Sequence, residues 1–191
     1  MNLSLPHLLE LARFTLQRPR EGARMVMRAD LPNRARWVAL ALTAVCSALL
    51  AHVAFSLMPA QTMTEFGGTP PAPFTTALVQ AGLMVASVQA VYWIGRWFGG
   101  QGRFEDALIL MVWLQFILLV LQVLQIVVQV ILPPLASVVG MASVGVFLWL
   151  LSHFVAELHG FASARTTFFG IMGVFLGLGV ILWLFLLPSL I

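Results

Sequence analysis

Residues 107–132 read ALILMVWLQFILLVLQVLQIVVQVIL and contain no Asp, Glu, Lys or Arg. At about 1.5 Å of rise per residue, a helix over Ala107–Leu132 is long enough to cross a hydrocarbon core of about 30 Å. A membrane-barrel strand would alternate apolar and polar residues over a shorter segment, whereas this run is apolar on every side. Four more stretches have the same character: Trp37–Met58, Phe74–Trp97, Leu135–Ala156 and Thr167–Leu187. They predict an all-α fold, a polytopic membrane helical bundle with about five transmembrane helices.

Composition agrees with that reading. Of 191 residues, 61% are hydrophobic and 9% are charged, against roughly a quarter charged in a soluble domain. The net charge of +3 comes from ten arginines and no lysine. Most of these arginines lie before residue 37, interrupted by Leu, Met and Pro, which points to anionic lipid headgroups rather than to nucleic acid. Cys46 is the one cysteine and lies inside the first apolar run, so no disulfide framework or cysteine metal cluster is expected within one chain. The first apolar core begins only at Trp37 and no small-residue cleavage pattern closes it, so the first span is expected to remain in the mature protein.

The arginines also set the orientation. Arg13, Arg18, Arg20, Arg24, Arg28, Arg34 and Arg36 precede the first span, Arg96 and Arg103 flank the second connection, and Arg165 lies in the fourth. The first connection, Pro59–Pro73, carries only Glu65, and the third is little more than Pro133–Pro134. The positive-inside tendency therefore places the N-terminus in the cytoplasm and the C-terminus outside. The chain divides into residues 1–36, a cytoplasmic arginine-rich segment, and residues 37–191, the five-helix transmembrane domain. Within the first, Leu5, Leu8, Leu9, Ala12 and Leu16 share one helical face, with His7, Glu10, Arg13 and Gln17 towards the other. This predicts an N-terminal amphipathic interfacial helix ending near Pro19, and a second short helix over Pro19–Ala29, both in the headgroup layer. No repeat of fixed period appears, and an odd number of spans argues against two inverted halves of the transporter kind.

Two short motifs stand out in the connections: Gly99-Gly100-Gln101-Gly102-Arg103-Phe104 opening the third span, and His159-Gly160-Phe161-Ala162-Ser163 between the last two. Together with the arginine- and proline-containing lead and the five spans, they resemble the Yip-one family of polytopic membrane proteins over nearly the whole chain. The resemblance implies a non-catalytic membrane protein. Eukaryotic relatives bind small Rab-type GTPases and act in vesicle traffic and membrane shaping. A basic interfacial lead in place of a long cytoplasmic arm looks more like the bacterial members, which would put this chain in a bacterial inner membrane.

Polar residues near the expected cytoplasmic rim are the candidates for partner binding: Arg96, Arg103, Glu105, Asp106, Glu157 and Arg165. Glu105 and Asp106 fall in the first turn of the third span, where the helix dipole favours negative charge, and Arg96 matches them at the end of the second. The same acids would also suit a basic partner or an ion. Glu157 and Arg165 oppose their local dipoles, and their separation across the His159-Gly160 turn predicts a pair between two antiparallel helix ends. His153, Glu157 and His159 do not form a metal motif, since only the first two share a helical face. His52 is expected to be an interfacial or interhelical hydrogen bonder.

Gln115, Gln122, Gln125 and Gln129 make a polar stripe along the third span. Such a stripe serves as glue between helices or, in the second reading, as a hydrated path for a small solute. Gly82, Ala86 and Ala90, and Gly170, Gly173 and Gly177, recur at helical spacing and predict close packing, preferentially inside the bundle, with a homo-oligomer as the other partner. No nucleophile elbow, phosphate loop or inward carboxylate pair is present. The expected function is therefore a non-enzymatic membrane organiser or adaptor working through its cytoplasmic rim, with anionic lipid and a protein at the cytoplasmic face as partners and no cofactor. The alternative is a small transporter or channel subunit using the Gln stripe.

Overall fold

The computed structural model describes residues 4–29, 31–57 and 72–186. Within them the chain forms seven helices and no strand: α1 (Leu5–Gln17), α2 (Pro19–Met27), α3 (Asn33–Ser56), α4 (Pro73–Trp97), α5 (Phe104–Ile131), α6 (Pro133–His159) and α7 (Ala164–Leu186). The last five are long and apolar enough to cross a membrane, as expected. The predicted end at Met58 and the end at Leu187 lie outside the described residues.

Helix boundaries follow backbone chemistry more than hydropathy. Pro19, Pro73 and Pro133 each start a helix, where a missing N–H costs no hydrogen bond. Pro133–Pro134 is thus the first turn of α6 rather than a connection, and Leu132 alone links α5 to α6. α5 begins at Phe104, ahead of the apolar run, because Glu105 and Asp106 suit its exposed first-turn amides. α6 continues past Ala156 to His159 and stops at Gly160, whose left-handed φ of 73° supports a Schellman turn. That turn is closed by Phe161 N–H donating to the Ala156 carbonyl at 2.8 Å.

α5 is the axis of the bundle. Half of its most apolar stretch is buried, and none of that of α7 is. α3 and α6 pack along α5, α4 leans chiefly on α3, and α7 touches the bundle through α6. Burial concentrates where the arginines are: Ala107 to Leu119 on α5, and Leu150 to His159 on α6. The amphipathic pair α1–α2 forms as predicted but is not a free surface arm. Leu11, Ala12, Ala23 and Val26 belong to the same core as Leu108, Leu110, Leu150 and Phe154, so the lead closes the arginine end of the bundle.

A histidine latch and an arginine clasp at one end of the bundle

The connection from α4 to α5 is glycine-rich because an imidazole fills it. His159, the last residue of α6, is buried with 3% of its surface exposed. A Cβ on Gly95, Gly100 or Gly102 would overlap its ring, so three positions of the α4–α5 corner must lack a side chain for α6 to end there. Gly99 provides the turn itself, at a φ of 84°. Both ring nitrogens are engaged: Gly102 N–H donates to Nδ1 at 3.2 Å, and Nε2 faces the Val91 carbonyl at 3.1 Å. This pattern requires the neutral tautomer with its proton on Nε2. The two motifs singled out in the connections are therefore two sides of one contact.

The lead is fastened next to this latch. Arg20 donates through Nη2 to the carbonyls of Phe161 and Ala162, at 3.0 and 3.1 Å. Phe161 in turn stacks on His159, with ring centroids 5.6 Å apart. Arg24 grips Glu157 in two-pronged fashion, Nε to Oε1 at 2.5 Å and Nη2 to Oε2 at 3.2 Å. The bond to Glu157 and its charge raise the Arg24 pKa above the usual arginine value. On the inner side of the lead, Trp113 donates its indole N–H to Thr15 Oγ1 at 3.2 Å, while the Thr15 hydroxyl donates to the Leu11 carbonyl at 2.8 Å. Gly22 lets the α1–α2 hairpin close, since a Cβ there would meet Thr15 Oγ1 at 2.5 Å.

The six rim candidates all lie at this end but in different settings. Arg103 reaches Glu105 at 3.6 Å, and Arg96 donates to the Tyr92 hydroxyl at 3.0 Å while lying over its ring. Asp106 is half-buried in the first turn of α5, and Arg165 is exposed at the start of α7. The expected Glu157–Arg165 pair is replaced by Glu157–Arg24. The docked lead brings in a guanidinium 133 residues away in sequence, a partner that no local spacing announces.

Along α5 the glutamines separate. Gln129 donates to the Ala54 carbonyl of α3 at 3.3 Å, Gln125 lies against Gly140 of α6, and Gln115 lines a cleft facing α4. Gln122 is half-buried. His52 bonds Thr76 across α3 and α4 at 3.3 Å, as an interhelical residue should. The small-residue faces do not pack inside the bundle: a Cβ on Gly82, Gly170, Gly173 or Gly177 would meet nothing within 4 Å. Among the described residues no three His, Cys, Asp or Glu side chains are grouped to hold a metal ion.

His159 with its glycine walls, Arg20 and Arg24 were not singled out from sequence as site residues. The usable signal was a histidine beside a helix-ending glycine in a chain with a second, glycine-rich corner. The family model described as the Yip1 domain matches residues 14–186. The match takes in the end of α1, the latch, the clasp and all five spans. No curated protein and no solved structure matches the chain.

Proposed function

The chain belongs to the Yip1 domain family, and from that premise we propose that it is a non-enzymatic membrane organiser or adaptor acting through the arginine-rich end of its bundle. In this reading that end faces the cytoplasm of a bacterial cell, by the positive-inside tendency. The observation that carries it is the docked lead. With Arg20 and Arg24 committed to the bundle, the lead still exposes Arg13 on α1 and Arg28 just past α2, and on the two short helices Leu5, Leu9 and Met25. A rigidly held surface of cations and apolar side chains suits anionic headgroups, and the neighbouring Arg96, Arg103, Glu105, Asp106 and Arg165 add a charged rim for a protein partner.

A crosslinking pull-down from native membranes tests the rim, comparing the natural chain with Glu105→Arg plus Asp106→Arg at matched abundance. Loss of a specific crosslinked partner supports the adaptor; an unchanged set of partners removes the rim from the proposal. The conduit reading draws less support, because Gln125 and Gln129 are occupied by α6 and α3. Solute flux in proteoliposomes that disappears in Gln122→Leu would restore it.

A further inference from the structure

Between α4, α5 and α6 lies a cleft of about 120 Å³. Gln80 and Ser87 reach it from α4, Met111, Gln115 and Leu118 from α5, and Phe147 from α6. It exists because α4 leans on α3 and packs less closely on its other neighbours. By helix rise, Gln115 lies about 16 Å from the start of α5 and Ser87 about 15 Å from the end of α4, so the cleft sits near mid-membrane depth. Its wall includes Leu83, which is 59% exposed on the outside of the bundle, so the mouth opens sideways into lipid.

The polar groups inside are unusual for that depth. Gln80 and Gln115 are half-buried, and neither amide has a hydrogen-bond partner among the described residues. Ser87 donates to the Leu83 carbonyl at 2.8 Å, which leaves its oxygen free to accept. Amides without partners are costly in a hydrocarbon layer that offers no water. None of the nine lining residues is charged, so a phosphate or a carboxylate would meet no counter-charge. A sideways mouth admits a molecule that already resides in the bilayer.

We propose that this cleft receives the head of an uncharged membrane lipid bearing a hydroxyl and an ester carbonyl, whose chains stay in the surrounding bilayer. The amide N–H groups of Gln80 and Gln115 donate to the carbonyl and hydroxyl oxygens, and the hydroxyl proton goes to an amide or Ser87 oxygen. The volume fits. A cavity of about 150 Å³ accepts a benzene molecule, so this one takes a head of roughly five or six heavy atoms. The site is separate from the rim and does not depend on it.

The test uses the full chain in nanodiscs with a diazirine-bearing diacylglycerol, set against a phosphatidylcholine with the same photoreactive chain. Peptide mapping is expected to place the diacylglycerol label on residues 80–87 and 111–118, displaced by unlabelled diacylglycerol but not by phosphatidylcholine. Gln80→Leu plus Gln115→Leu should lower that label about eightfold, roughly threefold for each lost membrane hydrogen bond, while leaving the label on the outer face of α7 unchanged. Equal labelling by both lipids, no displacement, or full labelling of the double variant would each overturn the proposal. Because displacement is read on the natural chain, a variant that fails to fold does not blunt the test.

Discussion

The two ends of the bundle are built on different terms. At the arginine end, Leu108 and Leu110 of α5 and Leu150, Phe154 and Ala156 of α6 are almost wholly buried; towards the other end, Val130, Ile131, Val138 and Met141 are more than half exposed. All of these residues are apolar, so hydrophobicity does not separate them. In lipid an exposed valine costs little, because the acyl chains are as apolar as another side chain. Close packing appears instead where polar groups have to be matched: His159 between Gly102 and Val91, Glu157 under Arg24, Thr15 beneath Trp113. The packed end is held by shape and hydrogen bonds, and the open end leaves its surface to the bilayer.

Substituting glycines at the two ends gives the widest contrast. Gly95→Val drives a branched side chain into the His159 ring and should cost about 3 kcal/mol, the upper part of the overpacking range. Gly173→Val, whose added atoms meet open space, should change stability by under about 0.5 kcal/mol. Unfolding in detergent, followed by circular dichroism, reads both; equal effects would dissolve the distinction. Next in size is His159→Leu, which leaves the Gly102 N–H without its acceptor and should cost about 2 kcal/mol by the same measurement. Trp113→Phe keeps an aromatic ring but a smaller one and removes the bond to Thr15, whose hydroxyl still has Leu11, so a loss of at least about 1 kcal/mol is expected. Gln129→Leu, away from the latch, should cost about 0.6 kcal/mol, the mean for one membrane hydrogen bond and little more than the open-space glycine.

The clasp sharpens the contrast in a different observable. Glu157→Arg should release the lead, seen as several-fold faster tryptic cutting after Arg20 and Arg28, and Arg24→Glu added to it should restore protection at those same two bonds. Rescue by the swapped pair would not occur if the lead were held by its apolar face alone.

The spans were legible from the sequence because a long charge-free run has one physical outcome in a membrane. Their ends were less so: Pro133 interrupts the hydropathy run yet suits the first turn of a helix, whereas Glu105 and Asp106 were read in the first turn of α5 and lie there. The rim residues were found at one common end, yet their pairing was not. Glu157 was expected to pair with Arg165, eight positions away in sequence, and the structure gives it to Arg24. Local spacing cannot report a partner delivered by the docking of a distant helix. The small faces of α4 and α7 were expected to face inward and face outward, because in lipid a glycine on the surface is no anomaly. The glycines that matter are those whose neighbours are crowded, and crowding is not written into any one segment.

The single-residue link at Leu132 bears on how the protein is made. With α5 ending at Ile131 and α6 starting at Pro133, the turn has no tether that would let one helix stay in an aqueous channel while the other is already in lipid. The two are therefore expected to enter the bilayer as one helical hairpin. A reporter placed in that turn would therefore need its own long spacer.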